Sequence, residues 1–208
     1  MKKCCIIAGG DLHASDRIAD YDLLICADAG FRHAKRLGLH PDVLIGDFDS
    51  FTEPLPADCE IIRFPEKKDE TDTMLAVYCG RDRGYTEFEI YGALGGGRLE
   101  HTIANIQMLH HMALQGLHGS LISGPTHVTV QLPGICTYPA KEGYFSLFSL
   151  TDECTGITMK GTEYPLSDAV LKNTFPLGVS NRIVDDCAEV TLKNGVLLVI
   201  QGKDAPIL

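Results

Sequence analysis

The sequence predicts an α/β protein in which a parallel, helix-covered sheet domain is followed by a small antiparallel β-sandwich domain. Two observations lead to this prediction. Short apolar runs alternate with amphipathic segments up to about residue 123, a pattern typical of parallel strands joined by helices. Beyond that point only short alternating or apolar runs remain, and glycines separate them. Gly124-Pro125 therefore marks the expected boundary between domains of residues 1–124 and 125–208.

The first domain contains apolar runs of the length expected for strands that are covered on both faces. The predicted strands are residues 4–8, 23–27, 43–45, 61–64, 88–91 and 120–123. Amphipathic segments between them predict helices at residues 31–38, 71–79 and 101–114, and Gly38 is expected at the end of the first. Ligands bind at the carboxyl ends of the strands in such sheets, so residues that follow strands are the candidates for chemistry.

The second domain shows no helical periodicity. Its predicted strands are residues 128–132, 144–150, 156–159, 183–184, 188–192 and 196–200. Asn194-Gly195 separates the last two runs, and this dipeptide between apolar runs predicts a β-hairpin. These short strands predict the antiparallel sandwich.

Composition limits the classes of function. The net charge of −10 argues against general binding of nucleic acid or anionic membranes. The same charge suits binding of cations or metal-chelated phosphate, although solubility alone also explains it. No run of about 18 apolar residues is present, so no membrane span is expected. The eight cysteines form no C-x-x-C pair, and several lie in apolar runs, which predicts reduced thiols in a cytoplasmic protein.

Acidic residues gather just after the predicted strands. Asp28 follows the second strand, Asp47 and Asp49 follow the third, and Asp69 and Asp72 follow the fourth. In a parallel sheet these residues meet at one edge, where an Asp-x-Asp turn can bind Mg²⁺ through carboxylate oxygens. Without a cation, so many carboxylates would repel one another. The alternative is that Asp47 and Asp49 only form a loop, and that Asp69 or Asp72 only caps the following helix.

A glycine-rich segment follows the fifth predicted strand and opens a helix. Consecutive glycines at residues 95–97 allow backbone N–H groups to approach a phosphate, and Arg98 supplies a permanent charge for its oxygens. The segment is neither a Walker A loop nor a dinucleotide-binding fingerprint. His101, at the start of the helix, is either a ligand or base or a structural histidine. Lys68 either contacts a phosphate or forms a solvated ion pair.

In combination, these motifs make the chain resemble the thiamine pyrophosphokinase (thiamin diphosphokinase) family over nearly its whole length. The shared motifs are Ala-Asp-Ala-Gly at residues 27–30, Pro-Asp at 41–42 followed by Ile-Gly-Asp-Phe-Asp-Ser at 45–50, Lys-Asp-Glu-Thr-Asp at 68–72, Gly-Gly-Gly-Arg-Leu-Glu-His at 95–101 with Ala-Asn at 104–105, and Gly-Val-Ser-Asn at 178–181. The resemblance implies an α/β catalytic domain, a thiamine-binding and dimerisation sandwich, and a homodimer. The implied reaction uses Mg²⁺ and converts ATP and thiamine to AMP and thiamine diphosphate.

The resemblance also implies roles for individual residues. Mg²⁺ ligands are expected at Asp47, Asp49 and Asp72, and the catalytic set adds Asp69 and Arg98. ATP is expected to contact Asp28, Lys68, Thr71, Gly95, Gly96, Gly97 and Arg98. Thiamine is expected to contact Glu100, His101, Ser180 and Asn181. Glu100 departs from the family, which usually has Asp there, and composition alone interprets residues 177–181 as a turn.

Three other functions are compatible with parts of the pattern. The first is the same transfer to another alcohol, such as a hydroxymethylpterin, which requires only a different acceptor pocket. The second is an Asp-x-Asp nucleotide-sugar glycosyltransferase. The short chain and the lack of an evident acceptor domain argue against it. The third is a non-enzymatic thiamine or nucleotide sensor with a degenerate site. The presence of all the carboxylates and of Arg98 argues against it. Release of AMP from ATP with and without thiamine separates them.

Overall fold

A computed structural model describes residues 2–49, 54–65 and 67–203, and the chain divides into two compact units, Met1–Gly124 and Pro125–Leu208. The first unit contains strands β1 (Lys3–Ile7), β2 (Leu23–Ala27), β3 (Val43–Gly46), β4 (Glu60–Arg63), β5 (Glu87–Tyr91) and β6 (His118–Ser123). Its helices are α1 (Gly30–Leu37), α2 (Asp72–Asp82) and α3 (Leu99–Leu114). The strands lie in the order β4-β3-β2-β1-β5-β6, and the pairings between them are parallel.

Successive side chains of each strand point to opposite faces of this sheet, and helices cover both faces. Cys5 and Ile7 of β1 belong to the same buried cluster as Ala34 of α1. Cys4 points to the other face, where its sulfur would contact any side chain placed at Gly80 of α2. The central strands β1, β2 and β3 are therefore buried on both sides, as their continuous apolar runs predict.

The second unit contains β7 (Thr126–Gln131), β8 (Gly134–Pro139), β9 (Tyr144–Ser149), β10 (Glu153–Lys160), β11 (Leu166–Lys172), β12 (Cys187–Leu192) and β13 (Leu197–Gly202). One antiparallel group has the order β7-β13-β9, and the other is a four-stranded sheet with the order β11-β10-β12-β8. Phe145 and Leu147 from the first group pack with Ile157 and Val190 from the second in one buried cluster. The sandwich prediction, and with it the fold class, is confirmed.

Several predicted elements differ from the structure. β4 is an edge strand with three of its four residues exposed, so it is not covered on both faces. Strands β8 and β11 were not predicted, and Ile183 forms only an isolated bridge to Thr162 in place of the expected strand at residues 183–184. The prediction of a hairpin at Asn194-Gly195 is wrong, because β12 and β13 belong to different sheets. Asn194 instead pairs with Thr155, and the segment carries the chain from one sheet to the other.

The described part of the chain contains no helix long and apolar enough to cross a membrane. All eight cysteines are free thiols.

Candidate active site

A cavity of about 350 Å³ opens in the first unit, where β1, β2 and β5 end and where α2 and α3 begin. Its lining residues are 8–11, 27–29, 71–73, 92–93, 95–98, 101 and 105. This is the carboxyl edge of a parallel sheet, where ligands bind in folds of this class.

Glycines bring several backbone segments close enough together to form the cavity wall. Gly10 N donates to Gly92 O at 2.8 Å, and a Cβ at Gly10 would lie only 2.5 Å from that oxygen. Gly95 and Gly96 have φ of 74° and 86°, values that glycine adopts without strain. Gly95 N donates to Thr102 Oγ1 at 3.1 Å, which ties the glycine segment to the first turn of α3.

Asp28 is held in the cavity wall in a strained conformation. Its φ is 43°, in the left-handed region, and its N–H donates to Ile45 O at 2.7 Å. Its Oδ1 is buried and has no hydrogen-bond partner among the described residues. Burial raises the pKa of Asp28, and the negative charges of Asp72 and Asp47 raise it further. The Ala29 backbone N–H and the charge of Arg32 act in the opposite direction on this pKa. A partnerless buried oxygen costs about 1–3 kcal/mol, so a cation bound at Oδ1 would stabilise this carboxylate.

Asp72 also lines the cavity and occupies the first turn of α2. Its Oδ1 lies 2.9 Å from Lys68 Nζ, and the Lys68 side chain is only 12% exposed. The helix cap is Thr71, whose Oγ1 accepts a hydrogen bond from Met74 N at 3.2 Å. The alternative in which an aspartate caps this helix is therefore wrong: Asp72 is free to face the cavity, and Lys68 is its ion-pair partner.

Asp47, Asp49 and Asp69 do not line the cavity, contrary to the expectation that all the acidic side chains meet there. Asp47 Oδ1 accepts a hydrogen bond from Asp49 N at 3.1 Å, a local turn that engages the carboxylate with its own loop. Asp49 and Asp69 are exposed. Asp47 still lies close enough to Asp28 to raise its pKa. Ser50, the last residue of that motif, lies outside the described residues.

Arg98 and His101 line the cavity at the start of α3, and Glu100 does not. Arg98 Nε lies 2.8 Å from Glu100 Oε1, and both side chains are more than half exposed. The hydrogen bond from Arg98 is the main reason that the pKa of Glu100 is lowered. An exposed pair of this kind is weakly held, so Arg98 can exchange Glu100 for an anionic ligand at small cost.

Ser180 and Asn181 lie in the second unit. Ser180 is exposed with φ of 60°, and its N–H donates to Ser146 Oγ at 3.0 Å. Asn181 is 5% exposed. Its Oδ1 accepts from Tyr164 N at 3.0 Å, and its Nδ2 donates to Tyr164 O at 2.7 Å. The Asn181 amide therefore fixes the backbone of Tyr164, and its contact with thiamine remains a prediction.

Several lining residues were not predicted as site residues. Gly9, Gly10 and Asp11 follow β1, and Asn105 fixes the wall by donating from Nδ2 to Ala93 O at 2.9 Å. In the sequence the two glycines indicate only the end of a strand. Paired glycines directly after a buried parallel strand are a signal that could have identified them, because that position lies at the ligand-binding edge.

The cavity can hold a metal-chelated phosphate. Asp28 and Asp72 offer carboxylate oxygens, which hard cations such as Mg²⁺ prefer. Glycine backbone and the Arg98 guanidinium suit phosphate oxygens. Among the described residues no group of three or more His, Cys, Asp or Glu side chains forms a ready metal site. Any cation bound here would therefore take part of its coordination from phosphate and water, as Mg²⁺ usually does.

Two family models match the chain in order. The model for the thiamin pyrophosphokinase catalytic domain matches residues 15–119. The model for the thiamin pyrophosphokinase vitamin B1 binding domain matches residues 134–197.

Individual relatives agree with these matches. A curated relative, the thiamine pyrophosphokinase of Bacillus subtilis (strain 168), is 26% identical over 215 residues, covering 98% of this chain and 100% of its own. The crystal structure of thiamine pyrophosphokinase from Bacillus subtilis superposes with a TM-score of 0.89 at 26% identity, covering 98% of this chain and 100% of that one. That of a thiamin pyrophosphokinase family protein from Enterococcus faecalis gives a TM-score of 0.83 at 26% identity, covering 99% and 100%.

Proposed function

The chain belongs to the thiamine pyrophosphokinase family, and we propose that it is a Mg²⁺-dependent enzyme that transfers the pyrophosphoryl group of ATP to thiamine. The products are thiamine diphosphate and AMP. The observation that carries the proposal is the cavity in which the buried, partnerless Asp28 oxygen, the Asp72 carboxylate, the glycine backbone and Arg98 occur together. This combination suits a triphosphate that carries a divalent cation.

The residues present fit a Mg²⁺ ion. The partnerless Oδ1 of Asp28 is able to accept a cation, and Asp72 provides a second oxygen ligand in the same cavity. We infer that these two carboxylates hold the ion, with phosphate and water completing its coordination. Asp47 and Asp49, the other predicted ligands, do not line the cavity, and their role as ligands of the ion remains a prediction. When bound, Mg²⁺ neutralises phosphate charge and orients the triphosphate.

The side chains and backbone of the cavity position the reactants for an in-line displacement. The hydroxyethyl oxygen of thiamine attacks the β-phosphorus, the bond from that phosphorus to the oxygen of AMP breaks, and AMP leaves. This class of reaction depends on positioning and charge neutralisation more than on covalent catalysis. Arg98 and the glycine N–H groups bind phosphate oxygens and stabilise negative charge as it develops. Of the two candidate bases Asp69 and Asp72, only Asp72 lines the cavity, which favours it as acceptor of the hydroxyl proton.

We propose that the second unit binds thiamine and forms a homodimer interface. Tyr164, Phe175, Leu177 and Val184 are large apolar side chains that are each more than half exposed. Leu177 and Val184 each lie three residues from the Ser180-Asn181 pair in sequence, and the Asn181 side chain hydrogen-bonds to the backbone of Tyr164. Exposed apolar side chains of this kind support an interface with another molecule. That the other molecule is a second copy of this chain is what the family resemblance implies.

We also propose a cytoplasmic location, which the eight free thiols support because disulfides are rare in reducing compartments.

The experiment is to incubate purified protein with ATP, Mg²⁺ and thiamine and to quantify AMP and thiamine diphosphate by chromatography. We expect the two products in equal amounts, and no AMP without an acceptor. Replacement of thiamine by a hydroxymethylpterin should give no AMP. AMP formation with the pterin and not with thiamine would move the function to the rival acceptor. Absence of AMP with both would contradict the proposed function.

A further inference from the structure

A histidine outside the predicted site holds part of the cavity wall. His33 lies on α1, and its Nε2 is 2.7 Å from the carbonyl oxygen of Gly10, a residue that lines the cavity. A carbonyl oxygen only accepts, so His33 donates through Nε2–H. Its Nδ1 lies 3.2 Å from Arg36 Nη2, which is a donor. With these partners Nε2 is the donor to Gly10 O, and Nδ1 is the acceptor that faces Arg36.

The sequence brings α1 within reach of that carbonyl through a second glycine. A Cβ at Gly30, the first residue of α1, would overlap the carbonyl oxygen of Ile7 at the end of β1. The absence of a side chain therefore allows the helix to begin directly against the strand. His33 follows three residues later and lies on the same side of the helix, where it meets the chain just after β1.

The Gly10 carbonyl fixes the direction of the next N–H group. In a trans peptide the C=O and N–H point in opposite directions, so a carbonyl held by His33 turns Asp11 N–H away from α1. Asp11 N lies 3.8 Å from the point where a Cβ would stand at Gly96, across the cavity wall. Asp11 N–H makes no hydrogen bond to any described residue, so it is available to a ligand.

We propose that His33 is a positioning residue for the nucleotide. It holds the Gly10–Asp11 peptide in the orientation that presents Asp11 N–H to an anionic oxygen of the bound triphosphate. His33 does not itself touch the substrate, and its effect passes through the backbone. Gly10 cannot be rearranged easily on its other side, because its N–H is already bonded to Gly92 O at 2.8 Å. The inference rests on the proposed function for the identity of the nucleotide.

The test compares His33→Leu, His33→Gln and His33→Asn with the unchanged protein. Leu cannot donate. Gln carries an N–H at about the reach of Nε2, whereas the Asn amide reaches only as far as Nδ1. We expect His33→Leu and His33→Asn to raise the KM for ATP about tenfold, the size expected for one lost hydrogen bond. His33→Gln should restore it to within about twofold, and the KM for thiamine should stay constant in all three. Calorimetric titration with a non-hydrolysable ATP analogue should show the same order.

His40→Leu is the matched control, since it removes an exposed imidazole just beyond the same helix and should behave like the unchanged protein. Equal KM values for the Gln and Asn variants would overturn the inference, as would an equal rise in the KM for thiamine. If His33→Leu does not fold, the Gln and Asn pair still decides. An unchanged protein that makes no AMP from ATP and thiamine would count against the proposed function, whereas the titration would still test His33.

Discussion

Replacement of Asp28 by Asn should stabilise the fold and abolish the reaction. The carboxylate has a buried oxygen without a hydrogen-bond partner in the described chain, and its surroundings raise its pKa. Asn leaves a polar amide in the same place and removes only the charge, so it relieves the penalty of burying that charge, which we take as about 1 kcal/mol because Asp28 is only partly buried. For a chain of 208 residues, relief of this penalty corresponds to a rise in Tm of about 2–4 °C. Because Asp28 is a proposed ligand of the cation, loss of its charge should lower kcat at least about a hundredfold.

The pH dependence follows from the direction of the pKa shift. A carboxyl with a raised pKa in the folded protein destabilises the fold when it is ionised. This penalty is full above the folded pKa of Asp28 and disappears as the pH falls to its ordinary value of 3.8. The Tm of Asp28→Asn should therefore exceed that of the unchanged protein near pH 7, and the difference should vanish near pH 4.

Thermal unfolding without ligand, at several pH values, provides the measurement. Asp20→Asn is the matched control, because Asp20 has φ of 57° but is exposed. It reports how much stability comes from the better tolerance of Asn for left-handed backbone. Added Mg²⁺ and ATP should raise the Tm of the unchanged protein and have little effect on Asp28→Asn. An Asp28→Asn protein that is less stable than the unchanged protein at pH 7, or that turns over normally, would refute the reasoning.

Three further substitutions test other parts of the site. Asp72→Asn should abolish AMP formation while circular dichroism shows an intact fold; near-normal activity would remove Asp72 from the mechanism. Arg98→Ala should raise the KM for ATP at least about tenfold and change the unfolding free energy by less than about 0.5 kcal/mol, because the side chain is 70% exposed. Asn181→Ala should destabilise the protein by about 2 kcal/mol in urea unfolding, because it removes the hydrogen bonds that this side chain, only 5% exposed, makes to the backbone of Tyr164 and Arg182; Ser180→Ala should not.

The parallel sheet was predictable because its central strands are buried on both faces. A run such as residues 23–27 is apolar throughout, and the structure buries all five residues. The sandwich was harder, because β8 and β11 are the two edge strands of its four-stranded sheet. Edge strands expose many residues and carry no continuous apolar signal. The Asn194-Gly195 dipeptide was also misinterpreted. It indicates that the chain changes direction, but whether the strands on either side pair with each other depends on how the two sheets pack, which the dipeptide does not encode.

The position of the candidate site was predictable from the sequence, but the identity of the carboxylates that line it was less so. Chain order and the parallel sheet place Asp28, Asp47 and Asp72 at one edge, and the pKa of Asp28 responds to the other two. Which carboxylates enter the cavity depends on local hydrogen bonds. The turn that engages Asp47 and the cap at Thr71 that leaves Asp72 free cannot be distinguished by spacing alone.

Backbone strain gives a separate reason to place function at these motifs. Among the described residues, the non-glycine positions with positive φ are Asp20, Asp28, Phe48, Asp168 and Ser180. Three of the five lie in segments that the sequence had singled out, and Phe48 is a bulky residue for which such a φ is a genuine outlier. A left-handed residue of this kind costs about 1–2 kcal/mol and persists only where the surrounding structure enforces it. At Asp28 the strain coincides with a partnerless buried oxygen, and neither feature stabilises the isolated chain. Two unfavourable features at one residue of a cavity wall are explained most simply if a bound cation and its phosphate ligand supply the missing stabilisation.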